Sequence, residues 1–107
     1  MGRYVFAVHS NPVEGREQEY NDWYSNRHLD DLLACPGVIA ARRLTLADLQ
    51  VRDGPQPFKY LALYEIEADD PQGFIDELFA RIGTGRMPRT TALGDVSPVL
   101  WKVLQNE

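Results

Sequence analysis

The sequence predicts an α+β domain of element order βαββαβ, with two helices on one face of a four-stranded antiparallel sheet. Three observations predict it. Turn-forming clusters cut the 107-residue chain into six elements of alternating strand and helix character. The residues Phe74, Ile75, Leu78, Phe79 and Ile82 recur at helical spacing, which gives the second helix one apolar side. The strand runs, in contrast, are apolar at successive positions, so both faces of the sheet are greasy.

Taken in order, Tyr4–His9 is a β-rich run that the turn formers Ser10-Asn11-Pro12 end. A polar helix follows from about Gly15 to Ala34, and Cys35-Pro36-Gly37 stops it. Val38 to about Leu46 reads as the second strand. The polar stretch Asp48–Pro57, with Asp53-Gly54-Pro55 inside it, is an exposed loop. Phe58–Ile66 is the third strand. Asp70 suits a helix N-cap and Pro71 the first helical position, so the second helix starts there and ends at Gly83. A loop from Thr84 to Asp95 leads to a last strand at about Pro98–Leu104. No linker or repeat divides residues 1–107, so one domain is expected. Strand, helix, strand, strand, helix, strand is the ferredoxin-like plan.

Two helices shelter one face only. Val5 and Ala7 oppose Tyr4, Phe6 and Val8, and Leu61 and Leu63 oppose Tyr60, Ala62 and Tyr64. Leaving such a face wet forfeits roughly 1.5–3 kcal/mol per large side chain. A homodimer through the sheet faces is the economical cover, and long loops folded over that face are the alternative.

Charge and composition exclude several classes. A formal net charge of −5, with Arg42-Arg43 as the only adjacent basic pair, argues against a nucleic-acid partner. The lone Cys35 allows no internal disulfide and fits a reducing compartment. No apolar stretch reaches membrane-spanning length, so a cytoplasmic protein without a membrane partner is expected.

The first helix is irregular. Tyr20, Trp23 and Tyr24 share one side, whereas Leu29, Leu32 and Leu33 share another, nearly opposite on an ideal helix. A bend or break is therefore expected around Asn26–Leu29, with Asn26 capping the second piece and His28 beside it. A straight helix with its Leu side against a partner is the competing reading. Tyr24 and His28, four residues apart, pair a phenol with a group that titrates near neutrality.

The run Glu14-Gly15-Arg16-Glu17-Gln18-Glu19-Tyr20-Asn21-Asp22-Trp23-Tyr24, followed by His28-Leu29-Asp30-Asp31-Leu32 and Pro36-Gly37-Val38, resembles the EthD-like proteins of the dimeric α/β-barrel superfamily. Gly85-Arg86-Met87-Pro88 adds a weaker echo. The resemblance implies two sheets facing across a dimer axis and a pocket in each subunit between helices and sheet, with a His at the place of His28 lining it. Relatives on this fold include polyketide cyclases, cofactor-free monooxygenases, haem-degrading enzymes and muconolactone isomerase-like enzymes, so fold narrows the chemistry only slightly.

These observations give a leading reading: a small cofactor-independent enzyme acting on an aromatic or polyketide-like molecule by acid/base chemistry. His28 is the acid/base and Tyr24 its hydrogen-bonding partner. Trp23, Tyr64 and Trp101 are aromatic walls, Arg42 and Arg86 are candidate anchors for an anionic group, and the loop after the second helix is a lid. A non-catalytic binding or accessory protein of EthD type is the alternative, and a haem-binding relative with His28 as axial ligand is the third. Two histidines without a ligand-spacing motif give no basis for a metal site, and no cofactor is expected.

Overall fold

The computed structural model describes residues 2–105. The elements are β1 (Gly2–Pro12), α1 (Glu17–Trp23), a π-helical turn (Tyr24–His28), α2 (Leu29–Leu33), β2 (Val38–Thr45), β3 (Tyr60–Ala68), α3 (Pro71–Arg81) and β4 (Leu93–Lys102). The strands lie in the order β2-β3-β1-β4, and every neighbouring pair is antiparallel. This is the ferredoxin-like arrangement, with α1, the π turn and α2 forming one continuous first helix.

Side chains directly across a sheet share a face. Phe6 lies opposite Tyr64 and Leu100, and this face packs under the helices. Tyr20, Leu32, Phe74 and Leu78 close the core from above, with the Phe74 ring edge-on to Phe6 at 5.5 Å. Val5 lies opposite Glu65 and Trp101, and Ala7 opposite Leu63 and Val99, on the other face. No helix covers that side among the described residues, and the chain is a slab only 18 Å thick. Trp101 is 60% exposed there, and Val99 and Leu44 are exposed too. The loop between β2 and β3 reaches only one end of this face, where Phe58 comes within 5.7 Å of His9.

Local chemistry explains the element ends. The Asp70 side chain accepts a hydrogen bond from the Gln72 N–H at 3.0 Å, with Pro71 in the first turn, as the sequence predicts. Gly37 enters β2 with φ of 92°, and a Cβ there would lie 2.9 Å from the Glu67 carbonyl oxygen. Only glycine tolerates both conditions.

The structure corrects several sequence expectations. The last strand begins at Leu93, five residues before Pro98, because Gly94 lets the chain approach Asn11 and Pro12 closely and pair across a bulge. For the same reason β1 runs through Ser10-Asn11-Pro12, and the turn falls at Val13–Arg16, closed by Arg16 N–H to the Val13 carbonyl. The third strand starts at Tyr60, leaving Phe58 in the loop. The first helix does not break, and Asn26 caps nothing: it is exposed inside a continuous hydrogen-bonded turn.

Candidate active site

The change of phase in the first helix is absorbed by the π turn. On an α-helix, four residues overshoot a full turn by about 40°, so Leu32 would drift about 120° from Tyr20. In the π turn the Leu29 N–H bonds to the Tyr24 carbonyl five residues back, and each residue rotates less. Tyr20, Tyr24, His28 and Leu32 therefore stay on the sheet-facing side, and Tyr20, Tyr24 and Leu32 are all buried. Leu33 is left 41% exposed.

Packing then fixes each ring. His28 stacks on Trp23 with centroids 4.1 Å apart and 20° between planes, and Tyr24 meets it edge-on at 5.3 Å. Beneath Tyr24 lies the Arg43 guanidinium, 4.5 Å from the ring centre and also against Tyr20 and Tyr60. Arg43 donates to Asn21 Oδ1 at 2.8 Å. Strand alternation turns Arg43 to the helix side, where the tyrosine rings and the Asn21 amide oxygen meet it.

Trp23, Tyr24, His28 and Leu32 form one wall of a cavity of about 470 Å³ between the helices and the sheet. Its floor is Phe6, Val8, Tyr64, Pro98 and Leu100, and its far wall is Ile75, Leu78 and Phe79 of α3 with Ile82 just beyond its end. The floor thus spans β3, β1 and β4. Residues 83–92 roof the cavity and are strapped to the first helix. The Trp23 indole N–H donates to the Pro88 carbonyl at 3.0 Å. Arg27 donates to the Gly85 carbonyl and pairs with Asp31, and Arg16 donates to the Thr91 carbonyl and hydroxyl. Met87, 1% exposed, plugs the roof from inside.

Two lining groups are buried without a hydrogen-bond partner, Nδ1 of His28 and the hydroxyl of Tyr64. Such groups cost about 1–3 kcal/mol each and are rare in folded proteins. Burial pushes the His28 imidazole down to about 4, so it is neutral at physiological pH and carries a lone pair. Burial also pushes the Tyr24 and Tyr64 phenols above the usual range, keeping both as hydroxyls.

Of the sequence-derived candidates, His28, Tyr24, Trp23 and Tyr64 come together in this cavity. Arg42 and Trp101 do not. Their register places them across from Leu63 and Val5, on the open face of the sheet. Arg86 points away and pairs with Glu77 at 3.0 Å. His9 also sits on the open face. The sequence reading made Tyr64 only an aromatic wall; its place on the central strand β3 buries the hydroxyl as well. The sequence offers Arg86 and Arg89 together as a small local anion site; of the two, only Arg89 lies on the cavity rim, because the path of the roof brings it there.

No protein-family model and no curated protein matches the chain. Two solved structures do resemble it. One is a candidate monooxygenase from Shewanella loihica PV-4, 15% identical over 99% of both chains with a TM-score of 0.61. The other is an ethyl tert-butyl ether D (EthD) family protein from Bacillus halodurans C-125, 11% identical over 97% of this chain and 100% of that one, with a TM-score of 0.55. The chain has an EthD-like fold. At these identities the likeness concerns the backbone plan and not the chemistry.

No helix among the described residues is long and apolar enough to cross a membrane, and no group of three or more His, Cys, Asp or Glu side chains there is placed to hold a metal ion.

Proposed function

We propose that this protein is a small-molecule enzyme of cofactor-independent type, in which the imidazole of His28 moves a proton to and from an aromatic or polyketide-like substrate held in the helix-sheet cavity. The carrying observation is that His28 and Tyr64, each with a buried polar atom that has no partner (Nδ1 and the hydroxyl), both belong to the wall of a cavity lined mainly by apolar groups. Such a pocket suits a mostly apolar ligand whose few polar atoms fix its orientation. His28, neutral at pH 7, accepts a proton from an acidic C–H or O–H of the substrate. The Tyr64 hydroxyl donates a hydrogen bond to the developing enolate or phenolate oxygen. Tyr24 holds the imidazole edge-on, and Trp23 holds it flat.

Sheet-to-sheet pairing of two copies would cover Leu63, Val99 and Trp101, and we place the homodimer there. The free, buried Cys35 suits the cytoplasm.

Hydrogen–deuterium exchange at the acidic carbon of an aryl 1,3-diketone, followed by NMR in heavy water, tests the proton transfer without needing the natural substrate. The native protein is expected to accelerate exchange at least about 100-fold over buffer, within the usual range for a placed general base. His28→Phe, checked for native circular dichroism, removes the acceleration. Equal exchange in the two proteins removes His28 from the chemistry, and exchange no faster than in buffer leaves a binding protein.

A further inference from the structure

The cavity has two chemically different ends. At the inner end, Tyr64 is 1% exposed and its hydroxyl, like His28 Nδ1, is unpartnered. At the mouth, between α3 and β4, Phe79 is 71% and Val96 is 47% exposed. Arg89 belongs to this rim, and among the described residues it is the only side chain lining the cavity that is charged at neutral pH. No carboxylate of the described residues lines the cavity, although the chain carries 16 Asp and Glu against 11 Lys and Arg.

The neighbouring arginines of this segment are paired. Arg81 and Arg86 both bind Glu77. Arg89 has no ion pair and no hydrogen bond among the described residues, so its five N–H donors are open to a ligand. Its stem is nonetheless placed. The guanidinium packs over Gly83, where a Cβ would stand 3.4 Å from Nε and 3.5 Å from Cζ. Gly83 follows the C-terminal end of α3, and a cation is favoured near that end. The group is thus seated by packing and helix polarity while its hydrogen-bonding capacity is unused.

We propose that the ligand is an amphipathic monoanion: a flat apolar body with a hydroxyl or carbonyl at its inner end and a carboxylate at the mouth, where Arg89 clamps it. This rests on the cavity being the ligand site, as above, but not on His28 transferring a proton. Arg89 is then a specificity residue. It selects charged over neutral ligands of the same shape, and it fixes which end enters first. A planar guanidinium fork suits a carboxylate better than a point charge does.

Fluorescence titration with 6-hydroxy-2-naphthoate and with its methyl ester tests this directly, since the two differ only in the charge at the mouth. The native protein should bind the carboxylate about tenfold more tightly, the size of one partly exposed charge-assisted hydrogen bond. That margin should shrink between 50 mM and 500 mM salt, as the Debye length shortens about threefold. Arg89→Gln should abolish the margin and leave ester binding unchanged, whereas Tyr64→Phe should weaken both ligands alike. Equal affinity for acid and ester, or a preference that survives Arg89→Gln, overturns the clamp while leaving the cavity as the binding site. Binding of both compounds that is indifferent to Tyr64→Phe and His28→Phe overturns the cavity reading itself.

Discussion

Mild acid should destabilise the native chain specifically through His28. Buried against Trp23 and Tyr24, the imidazole titrates at about 4 in the folded chain, against its ordinary 6.5. Because the folded value is the lower one, the unfolded chain binds the proton first as pH falls. Stability from this group is therefore complete above 6.5, declines between 6.5 and about 4, and is constant below that. Each pH unit in the window costs about 1.4 kcal/mol, so by pH 4.5 the loss is roughly 2.5 kcal/mol. Glu17 and Glu77 carry lowered values because of Lys59 and Arg81, and they also weaken the fold in acid. Their contribution must be subtracted. His28→Phe does this, since a phenyl ring keeps the flat stacking on Trp23 and cannot titrate. Urea unfolding at pH 7.5 and 4.5 should show a midpoint that falls about 1–2 M further in the native protein than in the variant. Parallel shifts in the two proteins would refute both the burial of the imidazole and its assignment as a neutral base.

Two further outcomes are expected. Tyr64→Phe should raise the unfolding free energy by about 1–3 kcal/mol, since it removes a buried hydroxyl with no partner, while costing ligand affinity; a stability loss on calorimetry would show that the hydroxyl has a partner after all. Leu63→Asp, in the middle of the open sheet face, should convert a dimer to a folded monomer in sedimentation velocity. A native protein that sediments as a monomer at micromolar concentration removes the dimer.

Strand alternation and helix capping are local rules, and that is why the element order, the α3 cap and the greasy open face were legible in the sequence. Asp70-Pro71 carries its own start signal, and Phe74 and Leu78 declare their side by spacing alone. The conflict of phase in the first helix was legible too, as a misfit between Tyr24 and Leu32. Its resolution was not, because a break and a widened turn relieve the same misfit, and only the unbroken chain of backbone bonds distinguishes them. The aromatic residues carry no mark of which face they occupy until register is known. Trp101 and Tyr64 both read as walls, but pairing with Val5 sends one to the open face, and pairing with Phe6 sends the other into the cavity. The roof is harder still, since Trp23 to Pro88 and Arg16 to Thr91 join residues more than sixty positions apart.

The widened turn also shows where this chain can vary in length. Removing a single residue between Tyr24 and His28 would let the backbone close into ordinary α-helix without breaking any connection. At about 100° a step, Leu32 would then return to within about 20° of Tyr20, so it would stay on the core side. His28 would likewise remain within about 60° of Tyr24. The widened turn thus acts as one extra residue that the first helix absorbs at a single place, and length can change there while the sides on either hand of it are kept.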